Sequence, residues 1–394
     1  MHIDLPFAVV TALNKLNTAG FAAYVVGGCV RDSLMGRLPY DWDITTSATP
    51  QEMAFVFTDY RTIETGLKHG TLTVIVDETP LEITTFRLEG AYSDGRHPDS
   101  VSFSQCLSDD LQRRDFTVNA MAYHPNTGLI DLYDGQGDLQ NATVRCVGNP
   151  DTRLEEDALR IIRALRFAAV LDFRIDSATD AALRRLSPTL NKVSVERITA
   201  ELTKLLCGKA ARRVLRAYAD VIRFIIPELA EDSDFHLITA VEAIPIARLA
   251  ALLWESNISA ETAERILIRL RLDNHTIQSV KRLIQCKNMP YSNDKDLLWL
   301  LNRLDDNLIW DYLSLAEADD EVRARVKQLL NDGFCYKLSM LAVNGTDLKK
   351  IGISDGPEFG SMLHALLQAV MNGDCPNNKH SLLEYANTMK KPVQ

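Results

Sequence analysis

Two aspartates near the start of the chain have the spacing of a metal site. Asp41 and Asp43 flank a single tryptophan in YDWDITT, and alternate residues of an extended strand project from the same face. Paired carboxylates repel each other unless a cation lies between them, and hard oxygen ligands favour Mg²⁺. Glu82, in the predicted strand LEITTFR, is a candidate third carboxylate that a neighbouring strand would bring to the same place. On its own, an Asp-x-Asp pair is more often part of a turn or a surface strand.

A pair of glycines upstream of the aspartates is suited to binding phosphate. Gly27 and Gly28 end the apolar run AAYVV and open the predicted helix VRDSLMG. Backbone N–H groups at a helix N-terminus attract anions, and Arg31 adds a guanidinium in the first turn. A glycine pair alone is weak evidence. Together with Asp-x-Asp, however, it supplies the phosphate site and the metal ligands that two-metal phosphoryl or nucleotidyl transfer requires.

A third cluster lies in RRDFTVNAMA. Asp115 and Asn119 are four residues apart and would share one face of a helix. Arg114 is a candidate phosphate ligand, and Asp115 would accept a hydrogen bond from a ribose hydroxyl or order the site. A capped helix with a solvated arginine would have the same residue types.

A fourth cluster lies in EEDALRIIRALRF, where Arg160, Arg163 and Arg166 recur every three residues and predict a basic ridge on a helix. Asp157 precedes Arg160 by three residues, which is the spacing of an intrahelical ion pair. The same pair could instead present an acceptor and donors to a base edge, while the outer arginines meet phosphates. Residue types alone leave both interpretations open.

The elements that must position these residues are of two kinds. Up to about residue 150, helices such as FAVVTALNKLNT alternate with β-branched runs such as TLTVIV and LEITTFR, which predicts an α/β region. Hairpins are expected across DETP and within MAYHPNTGLIDLYDG. From about residue 151, apolar residues recur at intervals of three and four, which predicts helices through the rest of the chain.

Composition excludes several classes of protein. The 394 residues are 46% hydrophobic and 24% charged, as is usual for soluble globular proteins. Seven scattered cysteines without a C-x-x-C pair argue against a disulfide framework or a zinc ribbon and fit a reducing compartment. The sequence shows neither a signal peptide nor an apolar run of the ~18 residues needed for a membrane span. We therefore expect a soluble, cytoplasmic protein without a membrane partner.

The charge distribution is uneven. A net charge of −10 usually counts against a nucleic-acid partner. Residues 151–213, however, contain thirteen Lys or Arg against nine Asp or Glu. Such a segment can hold a phosphate backbone locally, although a helix with a solvated charged face would look the same.

In this order the four clusters resemble those of the bacterial class II tRNA nucleotidyltransferases, the CCA-adding enzymes of the polymerase β-like nucleotidyltransferase superfamily. GGCVRD with DWD is similar to the first family motif, RRDFTVNAMA to the second and DLYDGQGDL to the next. EEDALRIIRALRF is similar to the base-selecting motif and SVERITAEL to the last one. The resemblance covers the whole chain in outline and is densest from Gly27 to Leu206.

The resemblance implies template-independent addition of CCA to the 3′ end of tRNA from CTP and ATP, with release of pyrophosphate. Asp41 and Asp43 would be the catalytic Mg²⁺ ligands, with Glu82 as the third carboxylate. Asp157 and Arg160 would read the bases of CTP and ATP. The nucleotide-binding residues implied in this way are Gly27, Gly28, Arg31, Arg114, Asp115, Asn119, Asp157, Arg160, Arg163 and Arg166.

The resemblance also implies a fold class, an α/β head followed by an all-α neck, body and tail. The predicted parts are a catalytic head (1–149), a neck for base selection (150–213), a body (214–300) and a tail that binds tRNA (301–394). In this family the tail contacts the elbow of the tRNA, while the acceptor end reaches the active site. Lys349 and Lys350 are candidates for phosphate contact in the tail. The sequence implies no protein partner.

Three alternatives remain. A poly(A) polymerase shares these motifs but would have a basic stretch where TIETGLKHGTLTVIV stands. An enzyme that adds only the terminal A remains possible, whereas a CC-adding enzyme is disfavoured by the retained loop RLEGAYSDGRHPDSVSF, with Arg87, Glu89, Tyr92, Asp94 and Arg96. A non-catalytic RNA-binding protein on a degenerate head would lack a metal carboxylate, and here none is lost. The sequence contains no His-Asp dipeptide, so we do not expect an additional phosphohydrolase domain.

Overall fold

The structure is a computed structural model that describes residues 2–64, 66–67, 70–89, 101–353 and 357–389. The chain divides into two compact units, Met1–Pro227 and Glu228–Gln394. Some residues singled out in the sequence lie outside the described ranges, namely Thr65, Lys68 and His69 of TIETGLKHG and Tyr92, Asp94 and Arg96 of the predicted loop.

The first unit is built on a mixed sheet. Its strands are β1 (Ala23–Val26), β2 (Asp43–Thr46), β3 (Arg61–Ile63), β4 (Thr71–Val76), β5 (Thr79–Thr85), β6 (Arg87–Glu89), β7 (Val101–Phe103), β8 (Met121–His124), β9 (Gly128–Asp131), β10 (Thr143–Val144) and β11 (Arg174–Ile175). The pairs β6–β7 and β10–β11 form two short ladders. Within the described ranges, seven strands form one sheet in the order β3-β4-β5-β2-β1-β8-β9. Strands β2 and β5 are parallel, and the other neighbours in this sheet are antiparallel.

Helices cover the sheet and continue beyond it. In the first unit they are α1 (Phe7–Thr18), α2 (Gly28–Leu34), α3 (Pro50–Val56), α4 (Leu107–Gln112), α5 (Gly135–Gln140), α6 (Pro150–Glu156), α7 (Leu159–Leu171), α8 (Ser177–Leu186), α9 (Val195–Leu206), α10 (Ala211–Ala217) and α11 (Ala219–Ile222). Leu13 and Leu16 of α1 and Met53 of α3 pack with Ile44 and Leu72 of the sheet in one buried core. This burial follows from the three- and four-residue spacing of the apolar side chains.

The second unit is helical. Its helices are α12 (Leu237–Ala240), α13 (Pro245–Glu255), α14 (Ala260–Arg269), α15 (Asn274–Gln285), α16 (Asp294–Leu315), α17 (Asp320–Asn331), α18 (Gly345–Lys350), α19 (Pro357–Asn372) and α20 (Lys379–Met389). Helix α16 is interrupted at Asp305, where φ is 63°. In the described chain no helix has the length and apolarity needed to cross a membrane.

The predicted fold class, an α/β head followed by helices, is confirmed. The expected hairpins are present as β4–β5 and β8–β9. In the β4–β5 hairpin the chain reverses at Asp77 and Glu78, and both residues have positive φ. The division into head, neck, body and tail stays a prediction. The predicted ends of the head, at residue 149, and of the neck, at residue 213, both lie inside the first compact unit.

Strand order brings several chain segments to one edge of the sheet. Because β1 runs antiparallel to both β2 and β8, Val25 lies opposite Ile44 and Val26 lies opposite Ala122. The end of β1 is therefore next to the beginnings of β2 and β8. The candidate site is assembled at this edge.

Candidate active site

The predicted metal ligands lie where β2 begins. Asp43 is the first residue of β2 and is in register with Glu82 of the parallel strand β5. Trp42 is buried in the core, whereas Asp41 is exposed and Asp43 is half-buried. Burial and the negative charges of Asp41 and Glu82 raise the pKa of Asp43 to about 6, against the opposing effect of Arg114. The carboxylate of Asp43 therefore carries poorly compensated negative charge.

This donor set fits a divalent cation that is shared with a substrate. Among the described residues, no three His, Cys, Asp or Glu side chains lie close enough to hold a metal ion by themselves. Mg²⁺ commonly takes only one or two protein carboxylates and completes its shell with water and substrate phosphates. Asp41 and Asp43 meet that requirement, and a cation would relieve the repulsion that raises the pKa of Asp43. Glu82 is adjacent by strand register, and its role as a third carboxylate stays a prediction.

The predicted phosphate turn lies against the aspartates. Gly27 has φ 84° and ψ −132° and precedes α2. A Cβ at this position would lie 3.0 Å from Nη1 of Arg114 and 3.9 Å from Oδ2 of Asp43. The same Cβ at Gly28 would lie 3.6 Å from Nη2 of Arg31. Glycine is thus required at Gly27 by the positive φ and by the close approach of the Arg114 guanidinium, whereas the distance at Gly28 is an ordinary van der Waals contact.

Arg31 joins the phosphate turn to the RRDFTVNAMA segment. Its Nη1 donates to Oδ1 of Asn119 at 2.6 Å, and Nε and Nη2 donate to Asp32. Asn119 in turn donates to Oδ1 of Asp115 at 3.1 Å. The expected contact between Asp115 and Asn119 is present, but the expected helix is not. Asp115 lies in a bend, and a 3₁₀ turn over Thr117–Asn119 brings the two side chains together.

Asp115 is held by an arginine from a distant helix. Oδ2 accepts from Nε and Nη2 of Arg163 at 2.9 and 2.6 Å, and Oδ1 accepts from the backbone N–H of Phe116. Burial works to raise the pKa of Asp115, but Arg163 and Asn119 hold that pKa well below its ordinary value. Of the two predicted roles, ordering the site matches these contacts; a ribose contact stays a prediction.

The structure corrects the interpretation of Asp157 and Arg160 as an intrahelical pair. Helix α6 ends at Glu156, and Asp157 is extended, with φ −142° and ψ 103°, before α7 begins at Leu159. Asp157 accepts from Nη2 of Arg197 at 2.7 Å and from the backbone N–H of Leu159 at 3.0 Å. The break separates Asp157 from the helix face that carries Arg160.

Arg160 has its own set of partners. Nη1 donates to Glu156 at 2.6 Å and to the carbonyl of Arg153 at 2.8 Å. Nη2 donates to the carbonyl of Arg113 at 3.0 Å. The side chain is buried, so Arg160 is not part of a solvated charged face.

The basic ridge on α7 points inward rather than toward solvent. Glu201 of α9 lies 2.5 Å from Nε of Arg166 and 3.6 Å from Nη1 of Arg163. The Arg166 guanidinium also stacks on the ring of Phe167, 3.8 Å from its centroid. Both arginines are thus engaged by carboxylates of the protein, and their predicted contacts with phosphate stay predictions.

A cleft of about 250 Å³ opens at the centre of this network. Its lining residues are Arg113, Arg114, Asp115, Asp157, Leu159, Arg160, Arg163 and Arg197. Sequence reasoning found five of these and missed Arg113, Leu159 and Arg197. Arg197 and Glu201 are four residues apart in SVERITAEL, a spacing that places both on one face of α9 and could have indicated their shared role.

The arrangement defines the head of a nucleotidyltransferase: paired carboxylates at a strand end, a glycine turn beside them and an arginine-lined cleft. The family model described as Poly A polymerase head domain matches residues 23–145. The model described as probable RNA and SrmB-binding site of polymerase A matches 172–232. The model described as tRNA nucleotidyltransferase domain 2, putative, matches 246–386.

Whole-chain relatives narrow the class to one family. The CCA-adding enzyme of Enterococcus faecalis is 36% identical over 382 residues, which cover 95% of this chain and 94% of the relative. That of Limosilactobacillus fermentum is also 36% identical and covers 96% of each chain. The crystal structure of the Bacillus stearothermophilus CCA-adding enzyme in complex with CTP is 30% identical, with a TM-score of 0.82 and 97% coverage of both chains. The chain belongs to the CCA-adding enzymes, and the predicted family is confirmed.

Proposed function

We propose that this chain adds CCA to the 3′ end of tRNA from CTP and ATP, at the site formed by the sheet edge and the arginine-lined cleft. The observation that carries the proposal is the meeting of Gly27, Arg114 and Asp43, with Nη1 of Arg114 3.0 Å from the position of a Cβ at Gly27. A phosphate-binding turn and a carboxylate suited to a cation thus adjoin each other. Nucleotidyl transfer needs both groups at the same phosphate.

The chain's own residues would bind and orient the two substrates. The N–H groups at the start of α2, with Arg31 and Arg114, would hold the triphosphate and neutralise its charge. The 3′-hydroxyl oxygen of tRNA would then lose its proton to water and form a bond to the α-phosphorus, while the bond from the α-phosphorus to the bridging oxygen of the departing pyrophosphate breaks. Asp41 and Asp43 would hold Mg²⁺, which when bound stabilises the charge on the transferring phosphate and favours ionisation of the hydroxyl.

Asp157 and Arg160 keep hydrogen-bonding capacity for a base. Within the described chain, the bonds to Glu156, Arg153 and Arg113 use three of the five N–H donors of Arg160. Nε and one hydrogen of Nη2 remain for an acceptor on a base. A carboxylate has about four acceptor sites, so Asp157 can accept from an exocyclic amino group while Arg197 holds it. Cytosine and adenine both offer an acceptor beside an amino group.

We further propose that the second unit contacts tRNA away from its acceptor end and that the protein acts in the cytoplasm. Lys350 lies 3.8 Å from Asp347 in the last turn of α18, with its side chain largely exposed. None of the seven cysteines forms a disulfide bond in the described structure, as expected in a reducing compartment. A tRNA elbow contact would make affinity for tRNA depend on Lys349 and Lys350.

The test is addition to defined tRNA ends. Wild-type protein with Mg²⁺ should add two C from CTP alone to tRNA lacking CCA, one A from ATP alone to tRNA ending in CC, and CCA from both nucleotides. Addition of A only to tRNA ending in CC would identify an A-adding enzyme. Unlimited A addition to unstructured RNA without use of CTP would identify a poly(A) polymerase.

The metal assignment has a separate test. Asp41→Ala should abolish addition of every nucleotide while the circular dichroism spectrum stays that of the wild type. EDTA should abolish the wild-type activity, and Mg²⁺ should restore it. Retained activity in Asp41→Ala would contradict the assignment of the metal ligands, whatever the substrate.

A further inference from the structure

Asp110 of α4 is a buried carboxylate that binds two consecutive arginines. Its side chain is 0% exposed. Oδ1 accepts from Nη2 and Nε of Arg113 at 2.6 and 3.0 Å, and Oδ2 accepts from Nη2 of Arg114 at 3.0 Å. Burial works to raise the pKa of Asp110, but Arg114 and Arg113 hold that pKa below its ordinary value. Asp110 is therefore an anion at neutral pH.

Arg114, one of the two arginines that Asp110 binds, lies on the phosphate-binding side of the proposed site. Nη1 of Arg114 lies at the Gly27 turn, beside Asp43. The Nε atom of Arg114 is buried without a hydrogen-bond partner among the described residues. Asp110 therefore supplies the hydrogen bond that the described structure shows for the Arg114 side chain, and it fixes the direction in which Nη1 points.

Arg113, the second arginine, lies on the side of the proposed site that faces the nucleotide base. The carbonyl of Arg113 accepts from Nη2 of Arg160 at 3.0 Å, and Arg113 also lines the cleft. Because Asp110 binds the Arg113 side chain twice, it restrains the backbone that supports Arg160. One carboxylate, which is not among the residues that line the cleft, thus supports Arg114 directly and Arg160 through Arg113.

We propose that Asp110 is a positioning residue that sets the spacing between the phosphate-binding and base-reading halves of the nucleotide site. This inference rests on the proposed function, because it assumes that Arg114 faces the triphosphate and Arg160 the base. CTP and ATP use both halves, so loss of Asp110 weakens binding of both nucleotides. The acceptor tRNA does not depend on this spacing for its own affinity.

A purely structural role would have a different signature. Removal of a buried carboxylate takes one partner from each of two arginines and lowers stability in any case. A structural role therefore predicts a lower melting temperature with unchanged nucleotide constants in the folded fraction. Positioning predicts that KM for nucleotides and the inhibition constant of pyrophosphate, a product bound by the phosphate half, rise together.

The first experiment compares Asp110→Asn with Asp109→Asn. Asp109, the preceding residue, accepts from Oγ of Ser104 at 2.5 Å and is not among the residues that line the cleft. Loss of one hydrogen bond between charged groups corresponds to roughly ten- to a hundredfold in affinity. Asp110→Asn should raise KM for CTP, KM for ATP and the pyrophosphate inhibition constant by at least about tenfold, with KM for tRNA unchanged. Asp109→Asn should leave all four constants unchanged.

A double-mutant cycle shows whether Asp110 acts through Arg114. If it does, the pyrophosphate inhibition constant of Asp110→Asn with Arg114→Met should equal that of Arg114→Met alone. Effects that multiply independently would overturn the inference. So would Asp110→Asn with a lowered melting temperature but wild-type constants for nucleotides and pyrophosphate.

A second variant covers the case in which Asp110→Asn does not fold. Asp110→Glu keeps the charge, and so avoids leaving buried arginines with an uncompensated charge, but it displaces the carboxylate by about one methylene and should therefore raise the nucleotide KM. Wild-type nucleotide KM in Asp110→Glu would overturn the inference. The wild-type and Asp41→Ala assays run alongside; if they behave as expected, a failure of the Asp110 prediction leaves the proposed function standing.

Discussion

The carboxylate of Asp157 is bonded to Arg197, with Nη2 of Arg197 2.7 Å from Oδ2, rather than to Arg160, three residues along the chain. Had Asp157 and Arg160 formed an ion pair, each would have satisfied the other. The break between α6 and α7 gives them separate partners, and both retain hydrogen-bonding groups for a nucleotide base. Arg197 thus holds Asp157 in place, and if Asp157 reads the base, as we propose, base reading depends on Arg197.

Replacing Arg197 with Met should disturb base selection more than stability. Without its partner, the Asp157 carboxylate is free to turn, at a penalty of about 1–3 kcal/mol for the lost charged hydrogen bond. We expect KM for CTP and ATP to rise about tenfold and discrimination against UTP and GTP to fall. Steady-state kinetics with each nucleotide would measure both effects.

Arg185 offers a control for that substitution. It pairs with Asp151 on the surface, and its side chain is 57% exposed. Such pairs contribute at most about 1 kcal/mol, so Arg185→Gln should leave the nucleotide constants unchanged. Identical nucleotide constants for Arg197→Met and wild type would contradict the role given to Arg197.

Alanine substitutions at Gly20 and Gly27 distinguish the effect of backbone strain from the effect of crowding in the site. Gly20 has φ 89° and Gly27 has φ 84°, so alanine at either position should lower the free energy of unfolding, by about 1–3 kcal/mol. A Cβ at Gly20 would meet nothing within 4 Å, whereas one at Gly27 would press on Arg114 at 3.0 Å. We expect Gly27→Ala alone to raise the nucleotide KM, by at least about tenfold. Equal nucleotide KM for the two variants would show that Gly27 is needed only for its backbone conformation.

The raised pKa of Asp43 makes the stability of the metal-free fold depend on pH. Burial and the neighbouring Asp41 raise this pKa from 3.8 to about 6, so the folded chain binds the proton more tightly than the unfolded chain does. Stability contributed at this residue therefore falls as the pH rises from about 4 to about 6. In EDTA, Asp43→Asn should melt at a higher temperature than wild type above pH 6. That difference should vanish below about pH 4.

Thermal unfolding of both proteins between pH 3.5 and 8 would measure this difference. Asp77→Asn, at an exposed turn residue, should follow the wild-type curve throughout. A metal-free Asp43→Asn that melts with the wild type at pH 7 would contradict the electrostatic strain at this carboxylate. The same variant should also lose nucleotide addition.

Glu82 can be tested through the metal requirement. It neighbours Asp43 by strand register, and carboxylates that support a metal ligand typically change metal affinity by about 10–100-fold. Glu82→Gln should therefore raise the Mg²⁺ concentration for half-maximal activity by about that factor, with most activity recovered at saturating Mg²⁺. Activity that is lost and does not recover at any Mg²⁺ concentration would instead make Glu82 a direct ligand.

Local patterns predicted most of the elements and the composition of the site. The β-branched runs became β4 and β5, and the apolar period of FAVVTALNKLNT became α1. Asp115 and Asn119 were expected to meet and do so, but across a 3₁₀ turn. The helix predicted through EEDALRIIRALRF breaks after Glu156. Its residue types favour a helix throughout, and the break is stabilised by Arg197, from a later helix, which periodicity cannot reveal.

The sequence by itself determined the chemistry of this protein: which side chains are acidic, basic or absent, and which local conformations place them at strand ends and helix starts. Only the tertiary structure decided which charged groups pair. Arg163 holds Asp115 and Arg197 holds Asp157 across separations of 48 and 40 residues. The energy of such pairs depends on burial and mutual geometry, which exist only once the sheet and helices are packed. For this reason the sequence could nominate the residues that we propose bind substrate, whereas it could not identify those that hold them in place.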